Sequence, residues 1–436
     1  MRRLLPLVLI ILMLPFVLPA VAQSEFNQVQ FVTNTPRPVS FVTNTPAGPT
    51  ATPLPPSETP LPSETPSPTL TPTETSTSTS TPTNTSTPTE TPSPTPTPNG
   101  PFIYPQGVNP LTGLPYPNEE AMNRRNLIVK ISNYPPVVRP QTGINLADVV
   151  YELEAEGGVT RFAAIFRSNA PERVGSVRSA RLADLHLIQM YNALIAYSGT
   201  SEPIQNIILD PENPYLYRAF SPLKGDNCEN AGFCRDERTE NLDFEHTLFL
   251  NTQRLYELAT QYNVNTGYQA RGFAFSPEPD PSENTAQDIY IEWYGQADAR
   301  WQYDEETGRY LRWTDGVPHF DAGDNSQLWA DNLVVIEVPH ERRPDLFPPG
   351  SNFESLDIVL VDQGRAYVFR DGFWYQGYWR RANEDAGSAL QLIYPGAPNP
   401  IMLEPGRTWV SVVRGLGNVT ISEDLQDPTF STSASR

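Results

Sequence analysis

The chain divides by where large apolar side chains fall. Residues 4–18 are apolar apart from Pro6 and Pro15. Over 23–100 Thr, Ser and Pro dominate, and large apolar residues stop at Leu70. Branched and aromatic residues resume just after Pro101 and continue to about 421, and 422–436 is polar. Only the third stretch, about 320 residues long, can bury a large core, and a stretch of that size commonly forms two domains.

Within it the first half alternates strand-like and helix-like runs. Residues 127–131 read as a short apolar strand. Residues 148–156 and 159–166 alternate around Gly157-Gly158, the signature of a two-residue hairpin turn. That register pairs Glu156 with Val159 and Glu154 with Arg161. It sets Glu152, Glu154 and Arg161 on one face, to serve as solvent face or site wall, with Tyr151, Leu153, Phe162, Ala164 and Phe166 on the core face. A strand over 173–178 then leads to Ser179, predicted to cap a helix running to about 192, with Asp184 near its start. Residues 193–197 read as another strand. Ser201 with Pro203 starts a second helix, and 254–262 reads as a third. The second half holds strand-like runs at 288–294, 300–303, 310–314, 332–338, 357–361, 366–370, 374–380, 389–394 and 408–413, with turn signals such as Asp371-Gly372 between several. The expected fold is a mixed α/β (α+β) N-terminal domain over 101–286 and a β-rich domain over 287–421, an antiparallel sheet or barrel-like module. A disordered stalk over 23–100 precedes them, and a disordered tail over 422–436 follows.

The N-terminus changes the picture of where this fold works. Arg2 and Arg3, an apolar run of about 15 residues and Ala20-Val21-Ala22 have the form of a signal peptide over 1–22, cleaved before Gln23. A stable membrane span takes about 20 residues, so membrane attachment is expected only if this segment is kept. The stalk cannot bury enough apolar surface to offset its chain entropy, and its prolines favour extended polyproline-II geometry. Phe-Val-Thr-Asn-Thr-Pro occurs at 31–36 and again at 41–46. A spacer through a wall or surface layer, with Thr and Ser as O-glycosylation acceptors, fits this composition. The expected location is extracytoplasmic, secreted or associated with the cell envelope.

The net charge of −20 keeps such a surface soluble and speaks against nucleic acid as a partner. The two cysteines, Cys228 and Cys234, lie close together in an exported chain. A disulfide is the expectation. Free thiols or a metal site are the alternatives, the latter without ligands nearby.

The densest polar group lies between Glu152 and Arg181. Arg178 and Arg181 flank the predicted helix start at Ser179, where free N–H groups favour an anion, and arginines grip carboxylate or phosphate bidentately. With Arg161 and Glu154 from the hairpin, they make a candidate binding site for an anionic or carbohydrate envelope component such as a wall or surface polymer. The competing reading is that these arginines simply pair with the neighbouring glutamates. The loop Ser198–Ser201 is a weaker polar patch. No Gly-x-Ser-x-Gly, His-Glu-x-x-His or phosphate-binding Gly-x-x-x-x-Gly-Lys occurs, so no cofactor, metal or catalytic residue is assigned. His186 reads as a packed or surface residue, His246 as a possible cleft residue, and His319 with Asp321 and Asp324 as a loose cation set. The alternative function is a wall-glycan hydrolase or transferase using Glu154, Glu156 or His246 as acid–base groups. The aromatics at 373–375 and 378–379 suit core packing first and sugar stacking second.

A run of motifs resembles a known family. Asn109-Pro110-Leu111-Thr112-Gly113, Arg139-Pro140-Gln141-Thr142-Gly143, Ala147-Asp148-Val149-Val150-Tyr151-Glu152, Glu156-Gly157-Gly158-Val159-Thr160-Arg161-Phe162 and Gly175-Ser176-Val177-Arg178-Ser179-Ala180-Arg181 occur in order. Arg370-Asp371-Gly372 and Leu403-Glu404-Pro405-Gly406-Arg407-Thr408-Trp409 follow. Over about 103–415 the chain resembles the YerB-like family of bacterial lipoprotein-like proteins. The resemblance implies two linked domains of unknown function in an envelope protein, and it carries no reaction. The family's lipid-modified cysteine is missing here: no cysteine precedes Cys228.

Overall fold

The computed structural model describes residues 99–429 except 214–215, 239–241, 268–269, 348–349, 351–354 and 397–398. The predicted signal peptide, almost all of the predicted stalk and the end of the tail lie outside the described residues.

The organising element is a ten-stranded mixed sheet. Its first three strands in sequence are β1 (Leu127–Ser132), β2 (Val149–Ala155) and β3 (Val159–Phe166). Across the sheet the order is Gln391–Ile393, Phe373–Arg381, Asp362–Arg370, Asn332–Glu337, Thr408–Val413, β2, β3, β1, Leu194–Ala196 and Ala219–Phe220. Strands from both sides of the expected 286/287 boundary therefore share one sheet. The join is Thr408–Val413, which runs parallel to both β2 and Asn332–Glu337. A smaller sheet takes Val317–Pro318, Arg309–Thr314, Asp298–Asp304, Asp288–Glu292 and Val419–Ser422. The single antiparallel module expected over 287–421 is thus divided: its early strands, joined by Val419–Ser422, build the small sheet, and Asn332–Glu337, Asp362–Arg370, Phe373–Arg381, Gln391–Ile393 and Thr408–Val413 extend the large sheet.

Both faces of the large sheet are covered. On one, Ile128, Tyr151, Leu153, Ala163 and Ile165 pack with helices α2 (Leu182–Met190) and α3 (Glu202–Leu209), which follow a short α1 (Glu119–Asn123). On the other, Val129, Val150, Phe162 and Ala164 pack with α4 (Thr252–Gln261) and with Trp301 and Tyr310 of the small sheet. Two-sided burial explains why β1 reads as a continuous apolar run and not as an alternating one.

Two local expectations are corrected. The hairpin turn holds three residues: Ala155 pairs with Val159, Glu154 with Thr160, and Leu153 with Arg161. Gly157 and Gly158 both adopt positive φ, 82° and 70°, which only glycine enters without strain. A one-residue slip moves every side chain of a strand to the opposite face. Arg161 therefore leaves Glu152 and Glu154 and joins the face of Leu153 and Tyr151. The glutamate face is not solvent either: Glu152 and Glu154 are buried.

The second correction is the start of α2. The strand before it is only Val174–Gly175, and the helix begins at Leu182 with Arg181, not Ser179, as its N-cap. The Asp184 carboxylate accepts the Arg181 N–H at 2.6 Å. Ser201 does stand at the N-cap of α3 with proline in the first turn, though its hydroxyl makes no capping bond. Cys228 and Cys234 form a disulfide.

Candidate functional site

The segment after Gly175 is sewn into place by backbone bonds on three sides. Ser132 N–H donates to Ser176 O (3.0 Å), and Arg178 N–H donates to Lys130 O (2.8 Å). Val177 N–H donates to Leu248 O (2.7 Å), and Ala180 N–H donates to Gly199 O (2.9 Å). These bonds carry Arg178, Ser179 and Arg181 to the C-terminal edge of the parallel pair β1 and Leu194–Ala196, beside the loop Ser198–Ser201. In open sheets of parallel strands this edge is where ligands commonly bind.

Arg161 arrives there from β3. Its Nη1 donates to the Ser179 carbonyl at 3.2 Å. The structure thus brings Arg161, Arg178, Ser179 and Arg181 together, as the sequence suggested. Glu154 is elsewhere: it accepts Arg414 Nε and Nη2 at 2.8 and 2.6 Å, with His340 Nε2 at 3.9 Å. The single-face grouping of Glu154 with Arg161 was the product of the mistaken register.

The cluster's charges are unevenly matched. Arg181 pairs with Glu156 at 2.6 Å, and Arg178 with the exposed Glu245 at 3.0 Å. Lys130 pairs with Asp184 at 2.8 Å, both fully buried. Among the described residues no carboxylate lies within ion-pair reach of Arg161. Its guanidinium has five N–H donors and this single protein acceptor. Burial, then the Arg181 charge, pushes its pKa down to about 9, with Arg178 adding to the effect and Glu156 and Asp184 opposing it. Arg161 remains charged at neutral pH.

Three further polar groups here lack partners. Arg178 Nε, Ser176 Oγ and His246 Nδ1 are buried without a hydrogen bond. His246 sits on the short turn Phe244–His246 next to Glu245. Burial, then Arg178, holds its pKa below the usual histidine value. The roles of Lys130, Asp184 and Glu245 were not legible in sequence. Lys130 sits inside an apolar run, and a lone lysine there was the only available hint.

Other singled-out residues are structural. His319 is buried, with Nε2 2.6 Å from Gln141 Oε1 and Nδ1 3.0 Å from Thr314 Oγ1. Asp321 accepts backbone N–H groups of Gly143, Asn145 and Gly323, so the three do not form the loose cation set. His186 meets Asp357 at 3.1 Å. Trp379 is buried and donates to Glu337 O. Two large recesses, of about 630 Å³ beside Thr142 and Asp321 and about 550 Å³ beside Arg124 and Tyr256, do not include Arg161.

Comparison with known proteins now adds a lineage. Residues 111–265 match the N-terminal domain, and residues 289–410 the C-terminal domain, of a protein family of unknown function, DUF3048. The chain is 26% identical over 318 residues to "Putative lipoprotein YerB" of Bacillus subtilis (strain 168), covering 72% of this chain and 88% of that protein. The crystal structure of the Bacillus subtilis YerB protein matches with a TM-score of 0.58 at 24% identity, over 72% of this chain and 99% of that one. The chain belongs to the YerB-like family.

The family motifs of this YerB-like chain fall into two groups. Most are internal ties. Asn109 and the backbone of Arg167 and Ser168 bind Asp148. Arg370 donates to the carbonyls of Ser276, Pro277 and Met402. Arg407 reaches Asn145 and the Ile144 carbonyl. The motif 175–181 and Arg161 stand apart, because they end at a surface with cationic capacity to spare.

Proposed function

We propose that this is an exported envelope protein whose arginine cluster binds an anionic group, such as the phosphate or carboxylate of a wall or surface polymer. The observation that carries the reading is Arg161, a cation held beside two other arginines with no carboxylate of its own. The one hydrogen bond to Ser179 leaves further donors on the guanidinium, which an anion can meet with a charge-assisted, multidentate contact. The signal-peptide pattern at the N-terminus and the description of the Bacillus relative as a lipoprotein support an extracytoplasmic location.

Of the acid–base groups of the glycan-hydrolase alternative, Glu156 fits the role of acid poorly. Such an enzyme needs one carboxyl with a raised pKa. Burial works against ionising Glu156, but the charge and hydrogen bond of Arg181 outweigh it and hold the pKa low. Glu154 is buried in a bidentate pair with Arg414.

Binding of poly(glycerol phosphate) and of a uronic-acid polymer, measured calorimetrically at low salt, tests the proposal. Replacing Arg161 and Arg178 by Gln should weaken binding of the preferred polymer about ten- to a hundredfold, the loss of one or two charge-assisted contacts. Equal affinity in wild type and the double variant, or no binding of either polymer or of simple anions, would retire it.

A further inference from the structure

The arginine site contains a second, titratable layer. His246 is only 4% exposed. Its Nε2 lies 3.6 Å from Glu245 Oε1, and Arg178 Nη2 lies 3.0 Å from that same oxygen. One carboxylate oxygen is therefore shared between an imidazole and a guanidinium. Glu245 is 59% exposed and sits on a single 3-10 turn, so its side chain is free to leave Arg178. The other imidazole nitrogen, Nδ1, is buried with no partner.

We propose that His246 is the proton-sensitive member of this site: its imidazolium draws the Glu245 carboxylate off Arg178 and adds a positive charge, so that anions bind more tightly as the pH falls. This rests on the anion-binding reading above.

The groups facing His246 set the sign. Arg178 from the segment after Gly175 and Arg161 from β3 repel a proton, while Glu245 and Asp243 on its own turn attract one. Asp243 is itself paired with Arg238 at 3.3 Å. Arg235, from Phe233–Arg235, donates to the Phe244 carbonyl and to Thr247 on the same turn. Burial and the arginines win, and the imidazole's pKa is held below the usual histidine value. An anion seated on Arg161 and Arg178 cancels their repulsion, which raises the affinity of His246 for its proton. Linkage is reciprocal, so the proton must raise the affinity for the anion by the same factor.

The same geometry makes Glu245 a competitor. It pairs with Arg178, and an incoming anion must displace it or share the guanidinium. Neutralising Glu245 should therefore tighten binding at a pH where His246 is uncharged.

Sulfate is the probe, because it does not titrate between pH 5.5 and 7.5. The chain has four histidines, so ring C–H resonances can be followed individually by NMR, with His246→Asn identifying the signal. Should that variant not fold, single substitutions of His186, His319 and His340 assign the remaining signal to His246 by elimination. Saturating sulfate should raise the His246 pKa, and a rise of about one should appear as about a tenfold gain in sulfate affinity once His246 is protonated. His246→Asn should bind sulfate with a flat pH profile, and Glu245→Gln should bind more tightly than wild type at pH 7.5. In Arg161→Gln the sulfate-induced change at His246 should shrink. Sulfate binding that depends on Arg161 but leaves the His246 titration unmoved would overturn this inference and leave the anion site standing. No sulfate binding at any pH would overturn both.

Discussion

Two groups of charges on the β2–β3 hairpin, one on each face of the sheet, show opposite ways of handling an arginine, one buried and one partly exposed. On the small-sheet face, Arg312 meets Glu152 at 2.9 and 3.0 Å, and both side chains are wholly buried. Thr160 and Trp409 complete the carboxylate, at 2.7 and 3.3 Å, and the rings of Trp409, Trp301 and Phe162 surround the guanidinium at about 5 Å. On the helix face, Arg161 has, among the described residues, no carboxylate within ion-pair reach and one backbone acceptor. In the first network the chain supplies the counter-charge, the hydrogen bonds of the carboxylate and the rings, with Arg312 Nη1 held by the ion pair alone. The second leaves donors over, which is what the proposed anion site requires. The first acts as a pin between the small sheet and the large one.

The largest effect should come from breaking the closed network. Arg312→Met leaves the Glu152 carboxylate buried and unpaired, a situation that costs about 3–5 kcal/mol. Urea denaturation of the folded protein should show a loss of that size, and the double variant Glu152→Gln, Arg312→Met should recover much of it. A single variant that loses less than about 1 kcal/mol would mean that the pair is not closed in solution, and the contrast between the two faces would fail.

A smaller effect sharpens the comparison through pH. His319 touches the closed network: Arg312 Nε lies 3.4 Å from its Nδ1. Burial, then the charges of Arg312 and Arg139, holds its pKa well below the usual value. A histidine with a depressed folded pKa is kept neutral, so its contribution to stability is intact above the unfolded value near 6.5 and declines as the pH falls below it. Between pH 7 and 5 this one group should make folding steadily less favourable. Comparing the pH dependence of the urea midpoint in wild type and His319→Gln isolates the term. The variant should lose the steeper part of the decline, and parallel profiles would show that His319 is not held neutral by its surroundings.

How legible was this contrast in the sequence? Most strands and the last helix were visible, because their apolar runs and turn glycines are local signals. The cationic cluster was legible as a density of arginines near Ser179. Of its partners, Glu156 was foreseen among the neighbouring glutamates and does pair with Arg181, whereas Lys130, Asp184 and Glu245, from three separate elements, were not. The hairpin register failed for a specific reason. Gly157-Gly158 fits a two-residue loop, but the loop also absorbs Glu156, and nothing local distinguishes the two. That single residue decides which face Arg161 occupies, and hence whether it meets Glu154 or the other arginines. The joined sheet was hidden as well. Thr408–Val413 reads as one more antiparallel strand, yet it sits between β2 and Asn332–Glu337, parallel to both, and parallel pairing across hundreds of residues leaves no local mark.

The smallest expected change in stability is the most discriminating. If Arg161 belonged to a closed network, replacing it would strand a carboxylate, as with Arg312. The structure shows none to strand: its recorded hydrogen bond goes to the Ser179 carbonyl, and its nearest charges include Arg181 and Arg178. Arg161→Gln keeps a donor for that carbonyl and much of the aliphatic stem while relieving repulsion within the cluster. Lost stem packing and relieved repulsion oppose each other, so the net change should lie within about 1 kcal/mol of zero. Low salt should favour the variant, because repulsion between its neighbours and the wild-type guanidinium is least screened there. Melting curves at low and at moderate ionic strength measure this directly. A loss of about 3 kcal/mol would place Arg161 in the same class as Arg312 and assign both faces of the hairpin to architecture. A near-zero change, with anion binding lost in the same variant, would separate them.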